Sequence, residues 1–411
     1  MSTSNSLRWR VVTGGIICQF CAGMLYSWSL YVNPLVAKFN LPKSDVTLTF
    51  SIATLLIPIM MIFASKVMAR KGPTFTALVG AVFLALGLVV SGFASSVYVL
   101  YLGYGVLGGV GVGFIYGVPI ATCAKWFPDK KGLISGLTVA GFGLGSIVFA
   151  PLATVLIENF GPSTTFLIQA GITVVGMAIG APMLKTAPDG YRPEGWQPAA
   201  GSAALTRDYT SSEMLRTVQY WFLLVMYLFA NVAGLFIIGH ASPISQEIAK
   251  LAPVQAGAIV SLLSIANTLG RFASGAAADK IGAKRVVTII YALDLILLVT
   301  LQFMTSYTLI AIGIASLAFC FGGMMGVYPS LVMDYFGSKF ASTNYAFVFL
   351  AYGFGGLIAN AVASFSLTQF GGYGTAFLII GASCAAGVVM SIISKKPSLE
   401  AVHSTDGSEK I

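Results

Sequence analysis

Long apolar runs separated by short polar loops recur along this chain from one end to the other. A run of about 20 apolar residues, rising 1.5 Å per residue, spans the roughly 30 Å hydrocarbon layer of a bilayer. Twelve such runs are read, near residues 10–35, 45–68, 74–94, 96–124, 132–160, 163–184, 218–246, 254–277, 284–304, 307–334, 341–369 and 372–394. One long polar stretch, Lys185 to Thr217, interrupts them. It holds Pro188, Asp189, Gly190, Pro193, Gly201 and Ser202, which is linker composition. It closes on Ser212-Glu-Met-Leu-Arg-Thr-Val-Gln219, read as a short interfacial helix. The pattern predicts an all-α membrane protein with a bundle over 1–184, a linker over 185–217, and a second bundle with a tail over 218–411.

The halves repeat at an offset of about 209 residues. Asn33-Pro34-Leu35 ends the first run and Ser242-Pro243-Ile244 the seventh. Trp126-Phe127 follows the fourth, and Tyr335-Phe336 follows the tenth. Gly141-Phe-Gly-Leu-Gly145 in the fifth run echoes Gly353-Phe-Gly-Gly356 in the eleventh. Two similar six-helix bundles are the plan of a carrier that rocks about a midplane site. Gly105, Gly109, Gly113 and Gly117 recur every four residues, so one side of the fourth helix should be a smooth groove for a neighbour. Pro119 and Pro329 occupy equivalent places in the fourth and tenth runs and are read as hinge candidates.

Composition agrees: 57% of the 411 residues are hydrophobic and only 9% are charged, with mean hydropathy +0.86. The net charge of +9 does not indicate nucleic acid, because the basic residues lie in short loops, where they report orientation. With both ends inside, 19 of the 23 lysines and arginines fall in cytoplasmic loops and tails, three fall outside, and Arg271 lies in the membrane. This predicts an inner (plasma) membrane protein with both termini cytoplasmic. Arg8 and Arg10 precede an apolar run without a small-residue cleavage site, so no secretory signal is read. The five cysteines sit in or beside apolar runs. Cys18 and Cys21 form a lone CxxC, without a second pair or a nearby histidine to complete a metal site. Neither HExxH nor a phosphate loop is present, no GxSxG stands in a suitable context, and there are only two histidines, so no enzyme chemistry, metal or cofactor is expected. His403 lies in the tail and is read as solvated.

Arg271 changes the picture most. A guanidinium at bilayer depth costs roughly 2.5–3.5 kcal/mol on insertion scales, and its planar fork of donors matches a carboxylate. Asn267 lies one turn earlier on the same helix face. Asp294 is the one acid read at mid-span, and His240 lies one turn before Pro243. Both are proton-coupling candidates.

The segment Gly275-Ala-Ala-Ala-Asp279-Lys280-Ile-Gly282-Ala-Lys284-Arg285 resembles the signature loop of the major facilitator superfamily. There, an Asp and basic residues latch the cytoplasmic side, which implies gate roles for Asp279, Lys280 and Arg285. The matching loop of the first half, Ala69-Arg70-Lys71-Gly72-Pro73, lacks the acid. Tyr26-Ser-Trp-Ser-Leu-Tyr-Val-Asn-Pro34, Trp126-Phe-Pro-Asp-Lys-Lys-Gly132 and Glu213-Met-Leu-Arg-Thr-Val-Gln-Tyr-Trp221 resemble the oxalate/formate antiporter-like branch, which groups with the monocarboxylate transporters. The resemblance implies twelve transmembrane helices in two pseudo-symmetric six-helix bundles. It implies an anion-binding role for Arg271 and cavity positions for Tyr26 and Tyr116. A second cation of the oxalate carriers is replaced here by Tyr352, a glutamine by Leu25 and a tyrosine by Phe142. An aspartate of the animal monocarboxylate transporters is replaced by Asn267.

A cavity with one cation balances one carboxylate. With Tyr328, Phe321 and Phe349 as further wall candidates, the expected cargo is a small monocarboxylate such as lactate or pyruvate. The expected mode is proton symport by a monomer in the lipid bilayer, with carboxylate exchange as the alternative. Neither the linker nor the tail is large enough for the output domain a sensor would need.

Overall fold

The structure, a computed structural model, describes residues 3–41, 43–188, 190–193 and 207–397. Residues 189 and 194–206 of the expected linker, and the tail with His403, lie outside them. The described chain is helical. We label α1 (Thr3–Ala22 and, past a tight turn at Gly23–Ser27, Trp28–Phe39). Then come α2 and α3, the arms of Lys43–Gly92 either side of Gly72, and α4 (Val97–Trp126). The arms of Lys131–Gly180 either side of Gly161 are α5 and α6. The second half has α7 (Val218–Ile248), α8 (Pro253–Ile281), α9 (Ala283–Leu301), α10 (Tyr307–Phe336), α11 (Ala341–Phe370) and α12 (Gly374–Ile393).

Two turns explain why 50-residue helical stretches hold two spans each. Gly72 has φ 83° and Gly161 φ 77°, a region closed to most side chains but open to glycine. Gly282 and Gly371, each 210 positions further on, also have positive φ, at 91° and 72°. The repeat read in the sequence therefore reappears in the backbone. The reversal at Gly72 is visible in the packing on α4. Gly105, Gly109 and Gly113 meet Thr49, Ala53 and Ile57 of α2 in ascending order, whereas Gly103 and Gly111 meet Gly87 and Leu84 of α3 in descending order. The glycine ladder of α4 is the groove that receives α2.

Seven helices, or eight with the bent pair of α1 counted as one, are long and apolar enough to cross a membrane. Two of the seven, Leu48–Gly92 and Lys131–Met183, carry two arms each. Among the described residues, α8 and α9 are not in that set. Each carries polar groups within its span: Asn267, Thr268, Arg271 and Ser274 on α8, and Lys284, Arg285 and Asp294 on α9. Pro119 and Pro329 stand inside unbroken helical runs. The interruptions fall elsewhere, at Gly23–Ser27 and in a wider-wound π segment over Tyr101–Gly108 of α4.

Ahead of α7, the short helix Ser211–Leu215 carries a capping box in which Thr210 and Glu213 satisfy each other's backbone N–H groups. The Thr210 hydroxyl, followed by its backbone N–H, holds the Glu213 carboxyl below the usual range. Ser211 and Tyr209 then bond Asn344, tying this segment to the start of α11.

Candidate functional site

α8 is held between α10 of its own half and α5 of the other by glycine contacts at backbone distance. On α10, Gly322 faces the carbonyl of Asn267 and Gly326 that of Arg271. On α5, Gly132 faces Gly275, Gly136 faces Arg271 and Gly143 faces Thr268. Arg271 therefore lies where the two halves meet, and it is only 1% exposed.

Its guanidinium is partly satisfied. Nε donates to Asn267 Oδ1 at 3.2 Å, and Nη1 donates across the interface to the Val139 carbonyl at 3.0 Å. Asn267 in turn donates to the Ala318 carbonyl at 3.1 Å, which turns its oxygen toward the arginine. The guanidinium carbon lies 5.8 Å from the Phe142 ring centre, within cation–π range. No carboxylate pairs with Arg271 among the described residues: the two ion pairs are Arg8–Asp129 and Arg207–Glu213. A buried cation ordinarily has a counter-ion.

Aromatic rings from both halves surround it. Phe142 of α5 is met edge-on by Tyr26 at 4.9 Å and by Tyr116 at 5.4 Å. Tyr116 stacks across the interface on Phe349 of α11 at 5.0 Å, and Phe349 stacks on Tyr352 at 5.0 Å. The hydroxyls of Tyr26 and Tyr352 lie 3.1 Å apart and join the halves. Two tyrosines that sequence reasoning missed complete the cluster: Tyr227 of α7 and Tyr345 of α11, with hydroxyls 3.3 Å apart. No signal in the sequence could separate these rings from ordinary packing aromatics.

Other expected site residues stand elsewhere. Leu25 is grouped with Met24, Leu84, Leu88 and Tyr104 around a small apolar cavity of about 10 Å³ in the first half. Successive residues of a 3₁₀ turn point about 120° apart, so Leu25 and Tyr26 face different neighbours. Tyr328 stacks on Tyr227 at 3.9 Å and bonds the Leu223 carbonyl, within its own half. Phe321 fills the gap left by Gly234 of α7. Asp294, 3% exposed, lies beside Cys320 of α10, with Tyr291 and Cys384 as further neighbours. His240 meets the Tyr373 hydroxyl at 3.3 Å. The Asp279 carboxylate accepts the Gly132 and Leu133 backbone N–H groups, each at 2.7 Å, and so caps α5 from the opposite half. Lys280 and Arg285 are exposed and form no ion pair among the described residues, so the contact shown here is that of the Asp279 carboxylate with the start of α5. The cysteines are free and buried, and among the described residues no group of His, Cys, Asp and Glu could hold a metal.

The family model of the Major Facilitator Superfamily matches residues 15–360 and 229–409. The chain is 36% identical to the uncharacterized MFS-type transporter YhjX of Escherichia coli (strain K12), over 85% of this chain and 86% of that one. It is 29% identical to the oxalate:formate antiporter of Oxalobacter formigenes, covering 90% and 88%. It is 24% identical to monocarboxylate transporter 12 of Rattus norvegicus, covering 91% and 82%. Its fold matches that of the transporter FucP, seen in a crystal structure of its outward conformation, with a TM-score of 0.74 at 14% identity, covering 94% of this chain and 99% of that one. Fold, repeat and sequence agree: the chain belongs to the major facilitator superfamily, with relatives that mark its oxalate/formate antiporter-like branch.

Proposed function

We propose that this transporter carries small monocarboxylates of the lactate and pyruvate type by alternating access, together with a proton. The observation that carries this reading is the buried Arg271 guanidinium, placed between the halves without an acid partner among the described residues. A monoanion would neutralise it, and the apolar rings would cover the organic end. Neutralising a buried cation lowers the cost of a closed, dehydrated state, so the loaded carrier reorients more readily than the empty one. In this account residues 1–184 and 218–411 rock against each other about the linker over 185–217, in the inner membrane with both termini cytoplasmic. On that topology the Asp279 cap on α5 closes the cytoplasmic side. Uptake of labelled lactate into proteoliposomes under an imposed pH gradient tests the reading; absence of any carboxylate transport would defeat it.

One observation favours a second reading, exchange of one carboxylate for another. The buried acid Asp294 lies with Cys320 and Tyr291, not at the guanidinium, and exchange needs no proton site. Asp294→Asn separates the two. Under symport through Asp294, pH-driven uptake falls to background while counterflow persists. Unchanged pH-driven uptake removes Asp294 from coupling, and counterflow without any pH-driven uptake in the wild type establishes exchange.

The single charge of the site also makes a prediction. Tyr352→Lys adds a second cation at the aromatic wall. Two opposite charges about 4 Å apart interact by about 4 kcal/mol at an effective dielectric of ~20. Preference should therefore move toward dicarboxylates by about tenfold or more, measured as oxalate against lactate competition. An unchanged ratio counts against the charge argument.

A further inference from the structure

We propose that Arg8 is a positioning residue of the closure between the halves: it withdraws Asp129 from the start of α5 and leaves that helix end to Asp279. The inference rests on the reading of the Asp279 cap as a closure and adds the first half's part in it. Two acids are placed to use the same backbone groups. Asp279 reaches across from α8 and accepts the Gly132 and Leu133 N–H groups, each at 2.7 Å. Asp129 lies in the turn before α5, three residues ahead of Gly132. A carboxylate so placed can accept the N–H groups two or three residues further on and cap its own helix. Either acid is favoured by the positive end of the helix dipole.

Here the Asp129 carboxylate is taken up elsewhere: its Oδ1 accepts from Arg8 Nη2 at 2.5 Å. Arg8 is itself held on α1. Its Nε donates to the carbonyl of Trp126, the last residue of α4, at 2.9 Å. Its guanidinium carbon lies 3.9 Å from the Phe127 ring centre, and Trp9 meets that ring edge-on at 5.1 Å. Only 8% of Arg8 is exposed. The guanidinium is thus fixed by two groups besides the acid, and it keeps the carboxylate on the α1 side of the turn. Lys130 and Lys131 are nearer in sequence but form no ion pair among the described residues. The repeat supports the assignment. At the offset of 209, Arg8 corresponds to Thr217 and Asp129 to Ser338. The first half's own loop, Ala69-Arg70-Lys71-Gly72-Pro73, has no acid with which to cap α11. The arginine–acid pair therefore stands in the half whose helix end receives a cap, and is missing from the other. A rival acid held in check gives the closure two states: Asp279 on α5 with the halves joined, or Asp129 on α5 with the halves free to part.

The experiment reads that equilibrium as a distance. The native cysteines are free and buried, so spin labels go on Arg70→Cys and Lys395→Cys. Both residues are exposed, and both are expected on the cytoplasmic side, in opposite halves. Double electron–electron resonance in nanodiscs gives the closed and open populations. Asp279→Ala should lengthen the distance by removing the cap. Arg8→Gln should raise the open-to-closed ratio by about tenfold, and Arg8→Met, equally neutral, should do the same. Adding Asp129→Ala to Arg8→Gln removes the rival and should restore most of the closed population. A merely structural loss of the Arg8 contacts would not be repaired by that second deletion. Unchanged distances in both Arg8 variants overturn the inference, and so does a double variant as open as Arg8→Gln alone. If Asp279→Ala leaves the distances unchanged, the parent reading of the cap as a closure fails instead.

Discussion

Arg271→Gln is expected to abolish carboxylate transport while leaving the protein at least as stable as the wild type. Both halves of that statement come from the same geometry. The guanidinium is buried and has no acid partner among the described residues, so its charge is a cost to the folded protein until an anion arrives. Glutamine removes the cost and keeps an amide. A carboxylate entering the variant would be buried without a cation, and leaving one member of a buried charge pair unpaired costs about 2–5 kcal/mol. That corresponds to a loss of roughly 30-fold to several thousand-fold in affinity at 1.4 kcal/mol per tenfold. Arg271→Lys should fall between the two, because an ammonium restores the charge but cannot reproduce the planar fork that reaches both Asn267 and Val139. Transport assays beside thermal unfolding in the same detergent check the pair of outcomes. A large fall in melting temperature for Arg271→Gln would indicate a structural ion instead.

Gly322→Ala is expected to impair both stability and transport, although it adds only one methyl group. A Cβ at 322 would sit 1.9 Å from the carbonyl oxygen of Asn267 and 2.7 Å from its carbon. These are backbone atoms, so no rotamer change relieves the clash and α8 must move away from α10. Forcing extra volume into a packed interior costs about 1–3 kcal/mol. Here the movement also displaces Asn267 and Arg271. Gly239→Ala on α7, where nothing lies within 4 Å, provides the matched control. It should be neutral or slightly stabilising, since alanine is favoured over glycine in a helix by about 1 kcal/mol. Melting temperatures and lactate uptake for the two variants check this; equal behaviour would show that the α8–α10 contact is not constraining.

How much of this was legible in the sequence depends on how each feature is encoded. Spans are encoded by length and apolarity, so the helices fall close to where the runs predict them, and the glycines of α4 revealed its packing face. The reversals at Gly72 and Gly161 fall within loop positions read from composition. Arg271 was conspicuous because charge is rare in such a chain. Its partners were only half visible. Asn267 follows from helical spacing, but the Val139 bond uses a backbone carbonyl, which every residue possesses. Tyr227 and Tyr345 are hidden for a related reason: in an apolar helix an aromatic residue gives no sign of which neighbour it faces. The turn at Gly23–Ser27 was not anticipated, since one glycine amid apolar residues does not mark a break. It is also why Leu25 and Tyr26, adjacent in sequence, are distributed to different surroundings. Helical offsets likewise left open which neighbour Tyr328 faces; it stacks on Tyr227 of its own half.

The central claim is that this guanidinium recognises cargo by its negative charge. It is tested most directly by comparing the binding of lactate and lactamide to the purified protein in lipid nanodiscs by isothermal titration calorimetry. The two molecules share shape and hydroxyl group and differ in carrying a carboxylate or a neutral amide. The account predicts saturable binding of lactate, abolished in Arg271→Gln, and no detectable binding of lactamide. Equal affinity for the two, or lactate binding retained in the glutamine variant, would contradict it.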